Sequence, residues 1–302
     1  MAENVKSLRR RLRSIRNTNK ITRAMQMVSA SKLRRAQSTL MAGRPYTAGL
    51  RVVLGHLAGS CDSFNHPFFE KRAVKNRIIV IVTGDRGLAG AYNSSIIKYV
   101  STMIKESPVP VSLVCIGRKG YDYFKHRNID IIASETTFNG SATSAETNEI
   151  ADLLVEQFLA HKADEVLIVY NEFVSSISYK TTTYTLLPLR PNELSVEDAH
   201  KATTQAKQEK GKPHYNDLYL LEPSAQEVFL NLMPRFLRNN FYMTLIEHFT
   251  AEHSARMTAM SNATKNSEEL IASVSLKMNK ARQSAITTEL TEVVGGAEAL
   301  SS

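Results

Sequence analysis

The sequence predicts an α/β protein in which long helices at the two ends of the chain pair as an antiparallel coiled coil, with a central α/β domain between them. Apolar residues recur at three- and four-residue spacing over about residues 3–57 and again over about 223–300. Between these helices, strand patterns alternate with helix patterns. The predicted segments of the 302-residue chain are 1–60, 74–190, a polar loop or insertion at 191–222, and 223–302.

The N-terminal helix is predicted to carry an apolar seam made of three blocks, separated by jumps of six and five residues. The blocks are Leu8, Leu12 and Ile15; Ile21, Met25 and Val28; and Leu33, Ala36 and Leu40. A seam with such jumps drifts around the helix, which indicates an irregular coiled pairing. Gly43 and Pro45 interrupt this pattern without ending it, because apolar residues resume at Leu50.

Positive charge is concentrated at the N-terminus. The first 44 residues contain twelve Lys and Arg residues and one acid, Glu3, which is a net charge of +11 against +9 for the whole chain. A field of this kind indicates an acidic partner surface, nucleic acid or an anionic membrane. Nucleic-acid binding stays open as an alternative, although the helix has no interleaved aromatic residues for base stacking.

The central segment predicts a Rossmann-like α/β domain with a mostly parallel sheet, because strands there alternate with helices. β-branched residues dominate the first strand, "RIIVIVT". The predicted strands are 77–83, 110–117, 129–134, 165–173 and 178–189, and the predicted helices are 92–106, 119–127 and 144–161.

The C-terminal helix is predicted to end in a second seam with spacings of 4, 3, 4 and 3 residues. This seam contains Ile286, Leu290, Val293, Ala297 and Leu300. Gly295 and Gly296 interrupt the helical pattern at a cost of about 1 kcal/mol each relative to alanine. Either another surface approaches them closely or the end of the helix frays. Further back, Pro234 is expected at a kink or in a first turn.

No catalytic or metal-binding set emerges from the sequence. "TGDRGLAGAYN" (83–93) stands where a phosphate loop would stand, but its glycine spacing is not that of a dinucleotide fingerprint. An exposed turn with Arg86 reaching a partner is the favoured interpretation, and a nucleotide-dependent enzyme is a third class. His248 and His253 are five residues apart and do not share a helical face. Cys61 and Cys115 lack metal-like spacing.

Four segments, in order along nearly the whole chain, resemble the gamma subunit family of bacterial F-type ATP synthases. They are "NTNKITRAMQMVSASKLRRAQ" (17–37), "TGDRGLAGAYN" (83–93), "EHSARMTAMSNAT" (252–264) and "ITTELTEVVGGAEAL" (286–300). The resemblance implies a rotor shaft that holds no cofactor, nucleotide or metal of its own. It implies partners in a ring of three alpha and three beta subunits, in epsilon and in the membrane c-ring. It also implies one copy per complex, on the cytoplasmic side of the bacterial inner membrane.

The resemblance also assigns contact residues. Those implied to contact a beta subunit are Met25, Arg86, Arg256, Gln283 and, more weakly, Thr287. The C-terminal seam from Ile286 to Leu300 is implied to sit in an apolar sleeve. Tyr215, Leu218 and Tyr219 are implied to lie in the foot near epsilon and the c-ring.

Overall fold

The computed structural model describes residues 5–59, 67–70, 72–175, 178–189, 222 and 224–301. Its helices are α1 (Val5–Gly59), α2 (Tyr92–Glu106), α3 (Arg118–Phe124), α4 (Ser144–Leu159) and α5 (Ala225–Ser301), with a short 3₁₀ helix at Pro67–Phe69. Its strands are β1 (Arg77–Val82), β2 (Val111–Ile116), β3 (Asp130–Glu135), β4 (Glu165–Phe173) and β5 (Tyr179–Leu187). The predicted fold class is confirmed. The predicted loop at 191–222 lies outside the described residues except for Glu222.

The five strands form one sheet in the order β3-β2-β1-β4-β5. The pairs β1–β2, β1–β4 and β2–β3 are parallel, and the pair β4–β5 is antiparallel. β1 lies at the centre and is buried on both faces, which explains its nearly continuous β-branched sequence. The sheet is therefore mostly parallel, as predicted.

Alternate residues of β1 separate two apolar cores. Ile78, Val80 and Val82 belong to the larger core, which also receives residues of α1, α4 and α5. Ile79 and Ile81 point to the opposite face and pack with residues of α2 and α3. This alternation follows from the two-residue period of a strand.

The chain divides into two compact units. One comprises residues 1–30 and 256–302, and the other comprises 31–255. The described residues of the first unit belong to α1 and α5, whereas the second unit contains the sheet. The domain boundaries predicted from the sequence stay a prediction.

α1 and α5 are antiparallel within each unit. In the first unit, Leu8 and Leu12 pack with Val274, and Asn19 contacts Thr264. In the second, the Asn239 side chain donates to the Thr47 hydroxyl at 2.8 Å, and a Cβ built on Gly43 would meet the Met243 side chain. Residue numbers rise along one helix as they fall along the other. Pro45 and Pro234 lie inside their helices.

The seam of α1 does not drift, so the prediction of an irregular seam was wrong. Buried and half-buried residues follow alternating spacings of 4 and 3 along the helix: Leu8, Leu12, Ile15, Asn19, Thr22, Gln26, Ser29, Leu33, Ala36, Leu40, Gly43, Thr47, Leu50, Leu54 and Leu57. Ile21 and Val28, assigned to the seam from the sequence, are 60% and 58% exposed. Thr22 and Ser29 are buried in their place. Polar side chains continue the heptad there, and they conceal it from a search for apolar residues.

Candidate interaction sites

The glycine-rich turn after β1 is fixed by hydrogen bonds to two neighbouring loops. Asp85 accepts from the backbone N–H of Arg118 at 3.0 Å and from that of Asn139 at 2.7 Å. The backbone N–H of Gly84 donates to Asn93 Oδ1 at 2.8 Å. The turn is therefore the junction of three loops, and Arg86 extends from it as an exposed side chain.

Two carboxylates at this turn oppose phosphate binding. A Cβ built on Gly84 would lie 2.5 Å from Glu252 Oε1, so this glycine accommodates a carboxylate where a phosphate loop would accommodate a phosphate. Burial raises the pKa of Asp85, and the charge of Glu252 raises it further, while the hydrogen bonds from Arg118 and Asn139 lower it. Negative charge at this position disfavours an anionic ligand. The exposed-turn interpretation fits this geometry better than the nucleotide-site alternative.

His248 and His253 are buried and bonded to neighbouring structure. The Tyr92 hydroxyl lies 2.9 Å from His248 Nδ1, and His253 Nε2 lies 2.8 Å from the Gly140 carbonyl oxygen. Within the described part of the chain, no cluster of His, Cys, Asp and Glu could hold a metal ion. These contacts tie α5 to α2 and to the loop before α4.

In the last turns of α5, every described side chain is exposed. Exposure is continuous from residue 282 to 297, and it includes Ile286, Leu290, Val293 and Ala297. We call residues 282–297 the tip. Leu300 belongs to the helix, but its side chain lies outside the description. A Cβ on Gly295 or Gly296 would meet nothing within 4 Å, so no close approach within the described chain requires these glycines.

The residues implied to contact beta differ in accessibility. Gln283 and Thr287 are exposed on the tip, where the Thr287 hydroxyl donates to the Gln283 carbonyl at 3.0 Å. Met25 is half-buried on α1. Arg256 is only 8% exposed in the chain alone. Tyr215, Leu218 and Tyr219 lie outside the described residues.

A basic groove runs beside the α1 seam. It was not predicted from the sequence as a distinct feature. Arg9, Arg13, Arg16 and Lys20 line it, and their spacings of 4, 3 and 4 residues place them on one face of the helix. Ile271 and Met278 of α5 also line the groove. The excess of basic residues at the N-terminus is therefore partly gathered into one stripe.

Known proteins resemble this chain over nearly its whole length. A family model described as ATP synthase matches residues 4–300. The ATP synthase gamma chains of Desulfitobacterium hafniense and Moorella thermoacetica are 39% and 40% identical to this chain; each alignment covers 98% of it, and 98% and 99% of those proteins. The chain belongs to the ATP synthase gamma chain family. As a member of this family, it is the central shaft of an ATP synthase and has no catalytic role of its own.

Solved structures show the same fold at lower identity. A chain of the Euglena gracilis mitochondrial ATP synthase in rotational state 3 is 18% identical and matches with a TM-score of 0.64, covering 98% of this chain and 94% of that one. A chain of the Tetrahymena thermophila central stalk and c-ring is 24% identical and matches with a TM-score of 0.56, covering 80% and 99%. Among the described helices, none is long and apolar enough to span a membrane.

Proposed function

We propose that this gamma-family chain transmits rotation between a membrane c-ring and a ring of three alpha and three beta subunits. Proton flow turns the c-ring and the shaft, and the unequal faces of the shaft drive the beta sites in turn through ATP synthesis. The observation that carries this proposal is the tip, a helix end with exposed apolar residues and no partner within the described chain. An exposed apolar stripe of this kind is typical of a surface buried in an assembly.

The tip is proposed to sit in an apolar sleeve at the centre of the ring. Ile286, Leu290 and Val293 are all exposed and share one face of α5. Gly295 and Gly296 lack side chains that would hold a surrounding surface away. The sleeve would thus bury the apolar residues that the chain alone leaves in water.

Contacts with beta are proposed for Met25, Arg86, Arg256, Gln283 and Thr287. The exposed position of Gln283, Thr287 and Arg86 suits direct contact. The burial of Arg256 suits a role in shaping the surface beside the contact. Exposed ion pairs at such surfaces contribute only about 0–1 kcal/mol each, which suits contacts that break at every step.

The opposite end of the shaft is proposed to join epsilon and the c-ring through Tyr215, Leu218 and Tyr219. This attachment makes the chain a peripheral part of a proton-transporting complex on the cytoplasmic side of a bacterial inner membrane. Family membership supports the complex, and the resemblance that implies a foot at Tyr215, Leu218 and Tyr219 supports the attachment.

The deciding experiment mixes the full chain with alpha and beta subunits and measures co-elution and ATPase activity. We expect one copy to co-elute with each 3:3 ring. Leu290→Asp combined with Val293→Asp should weaken this assembly, because it charges the apolar stripe. Thr102→Asp combined with Leu159→Asp, which adds two charges at exposed residues of α2 and α4 outside the tip, is the matched control and should assemble normally.

Failure of the wild-type chain to join the ring would refute the proposal. Salt-dependent binding to duplex DNA, with no recovery of ATPase, would support the nucleic-acid alternative instead. Tight binding of ATP by the isolated chain would overturn our interpretation of the turn at 83–93.

A further inference from the structure

Leu88 combines two features that each cost the isolated chain stability. It lies in the turn between β1 and α2, and its φ of +62° is in the left-handed region. The Cβ of any residue other than glycine makes this region unfavourable, and a bulky apolar side chain has no local bond to compensate. The Leu88 side chain is also 61% exposed, so it is an apolar group left in water. Folding of the chain alone does not account for leucine at this position.

Two other described residues, glycine aside, have a positive φ, and both have local explanations that Leu88 lacks. Asn139 is of a type that tolerates the left-handed region, and its side chain donates to the Thr137 carbonyl oxygen at 2.8 Å. His161 is hydrogen-bonded through its ring to Arg72. Backbone strain without such an explanation is typical of functional sites, where it positions a side chain.

The backbone is anchored on both sides of Leu88. Before it, the Asn93 side chain donates to the Arg86 carbonyl oxygen at 3.4 Å. After it, Ala89 is buried, and its carbonyl oxygen accepts from the Tyr92 N–H at 3.3 Å. The fold therefore presents Leu88 outward from a fixed turn, and a partner would meet a backbone that is already ordered.

Exposed cations lie close to Leu88. Arg86 is two residues before it in the turn, and a Cβ built on Gly87 would lie 3.9 Å from Lys119 Cε. Arg118, which adjoins Lys119 in sequence, is exposed as well. We call Arg86, Arg118 and Lys119 the basic rim. An exposed leucine with a basic rim is a surface on which apolar and charged contacts can form together.

The carboxylates near the basic rim are bonded within the chain. Asp85 accepts from the backbone N–H groups of Arg118 and Asn139, so its carboxylate faces the loop junction. Asp122 forms an ion pair with Lys125 at 2.6 Å. The rim therefore keeps a net positive charge, and this charge complements an acidic partner.

We propose that Leu88 is the apolar anchor through which this turn docks on an acidic segment of the 3:3 ring. This anchor role rests on the proposed shaft function and adds to it the residue that carries the contact. A few central side chains supply most of the binding energy of an interface, and polar groups around them exclude water. The partner segment should present an apolar depression beside carboxylates. Burial of Leu88 there would explain why leucine stands where glycine would strain the turn less.

The test is competition between labelled wild-type chain and unlabelled full-length variants for a limiting amount of 3:3 ring. Leu88→Asn and Leu88→Gly remove the apolar side chain, and both residues tolerate the backbone conformation. They should compete about tenfold less well than the wild type, which is the loss expected when a contact no longer buries a leucine. Leu88→Met keeps an apolar side chain and should restore most of the competition. Leu159→Asn is the matched control, since it removes another leucine, 44% exposed at the end of α4, and it should compete like the wild type.

Thermal melting of the isolated variants separates docking from folding. Leu88→Asn and Leu88→Gly should melt at the temperature of the wild type or above it, because they relieve the strained turn and leave less apolar surface in water. A lower melting temperature for both would overturn the proposal, since it would show that the side chain serves the fold.

A salt series tests the acidic chemistry of the partner. Arg118→Gln combined with Lys119→Gln should compete less well than the wild type at low salt and equally well at high salt, because salt screens exposed charges. Equal competition at low salt would overturn the acidic assignment.

The remaining outcomes separate this inference from the proposed function. If the wild type joins the ring and Leu88→Asn competes equally well, the anchor role fails while the shaft function stands. The anchor role fails in the same way if Leu159→Asn loses as much as Leu88→Asn, or if Leu88→Met loses as much. If the wild type itself does not join the ring, the proposed function and the anchor role both fail.

Discussion

Replacing Glu247 by glutamine is expected to remove a loss of stability that the chain undergoes between about pH 6 and pH 8. The carboxylate of Glu247 on α5 lies 3.3 Å from the Tyr170 hydroxyl of β4. Burial, followed by the charge of Glu172, raises its pKa from 4.5 to about 7, against a lowering contribution from Arg44. Lys180 of β5 stands opposite Glu172 in the sheet. The site thus joins α1, α5 and two strands.

The sign follows from the raised pKa. The folded chain binds the Glu247 proton more tightly than the unfolded chain does, so this contribution to stability is fully present below pH 4.5 and is lost as the pH rises through about 7. For these two pKa values the whole loss is about 3 kcal/mol, of which about 1 kcal/mol falls between pH 6 and pH 8. Glutamine at this position stays neutral and therefore escapes the loss.

Urea denaturation of the full chain at the two pH values measures the effect. The unfolding free energy of the wild type should fall by roughly 1 kcal/mol more than that of Glu247→Gln as the pH is raised. Glu156→Gln alters an exposed carboxylate of α4 and should follow the wild type. Parallel pH profiles for wild type and Glu247→Gln would refute the reasoning.

Three further predictions concern backbone, tip and core. Gly117→Ala should lower the unfolding free energy by at least about 2 kcal/mol, because φ of Gly117 is +89° and a Cβ there would overlap the Thr83 carbonyl. Gly49→Ala should instead raise the melting temperature slightly, because Gly49 is in an exposed helix position and a Cβ there would meet no atom within 4 Å. Deleting 286–302 should leave the thermal melting of the isolated chain unchanged, since the described tip side chains are exposed, and a clear drop would reveal a missed contact. Leu54→Ala should cost about 2–5 kcal/mol in denaturant unfolding, because this seam residue is fully buried, and a change below 1 kcal/mol would contradict the core assignment.

The regular elements were predictable because their signals are local. The predicted range 165–173 coincides with β4, and 92–106 coincides with α2. The run of β-branched residues in β1 indicates a strand buried on both faces. This signal can be recognised without knowing the position of the strand in the sheet. Family resemblance supplied the function, which no local pattern indicated.

The features that escaped prediction depend on a second segment far along the chain. Thr22 is a seam residue because Thr264 offers it a hydrogen bond, and the sequence does not show that pairing. Spacing could have revealed it, since a 4-3 count from Leu8 and Leu12 reaches Asn19 and Thr22. The sequence around Glu247 likewise gives no sign that the fold places Tyr170 and Glu172 beside this carboxylate. Both features consist of polar residues, which a search for apolar positions passes over.

The tip of α5 has few contacts within the described chain that could hold it in a helical conformation. About four turns of helix extend there without tertiary contacts from described residues, and two glycines weaken them further. Isolated helices of this length are marginal in water, so the tip has little stability of its own. Its amide hydrogens should exchange rapidly in the free chain and slowly inside the ring. In the proposed assembly, the final segment of the shaft would acquire its rigidity from the surrounding ring, so that assembly would complete its folding.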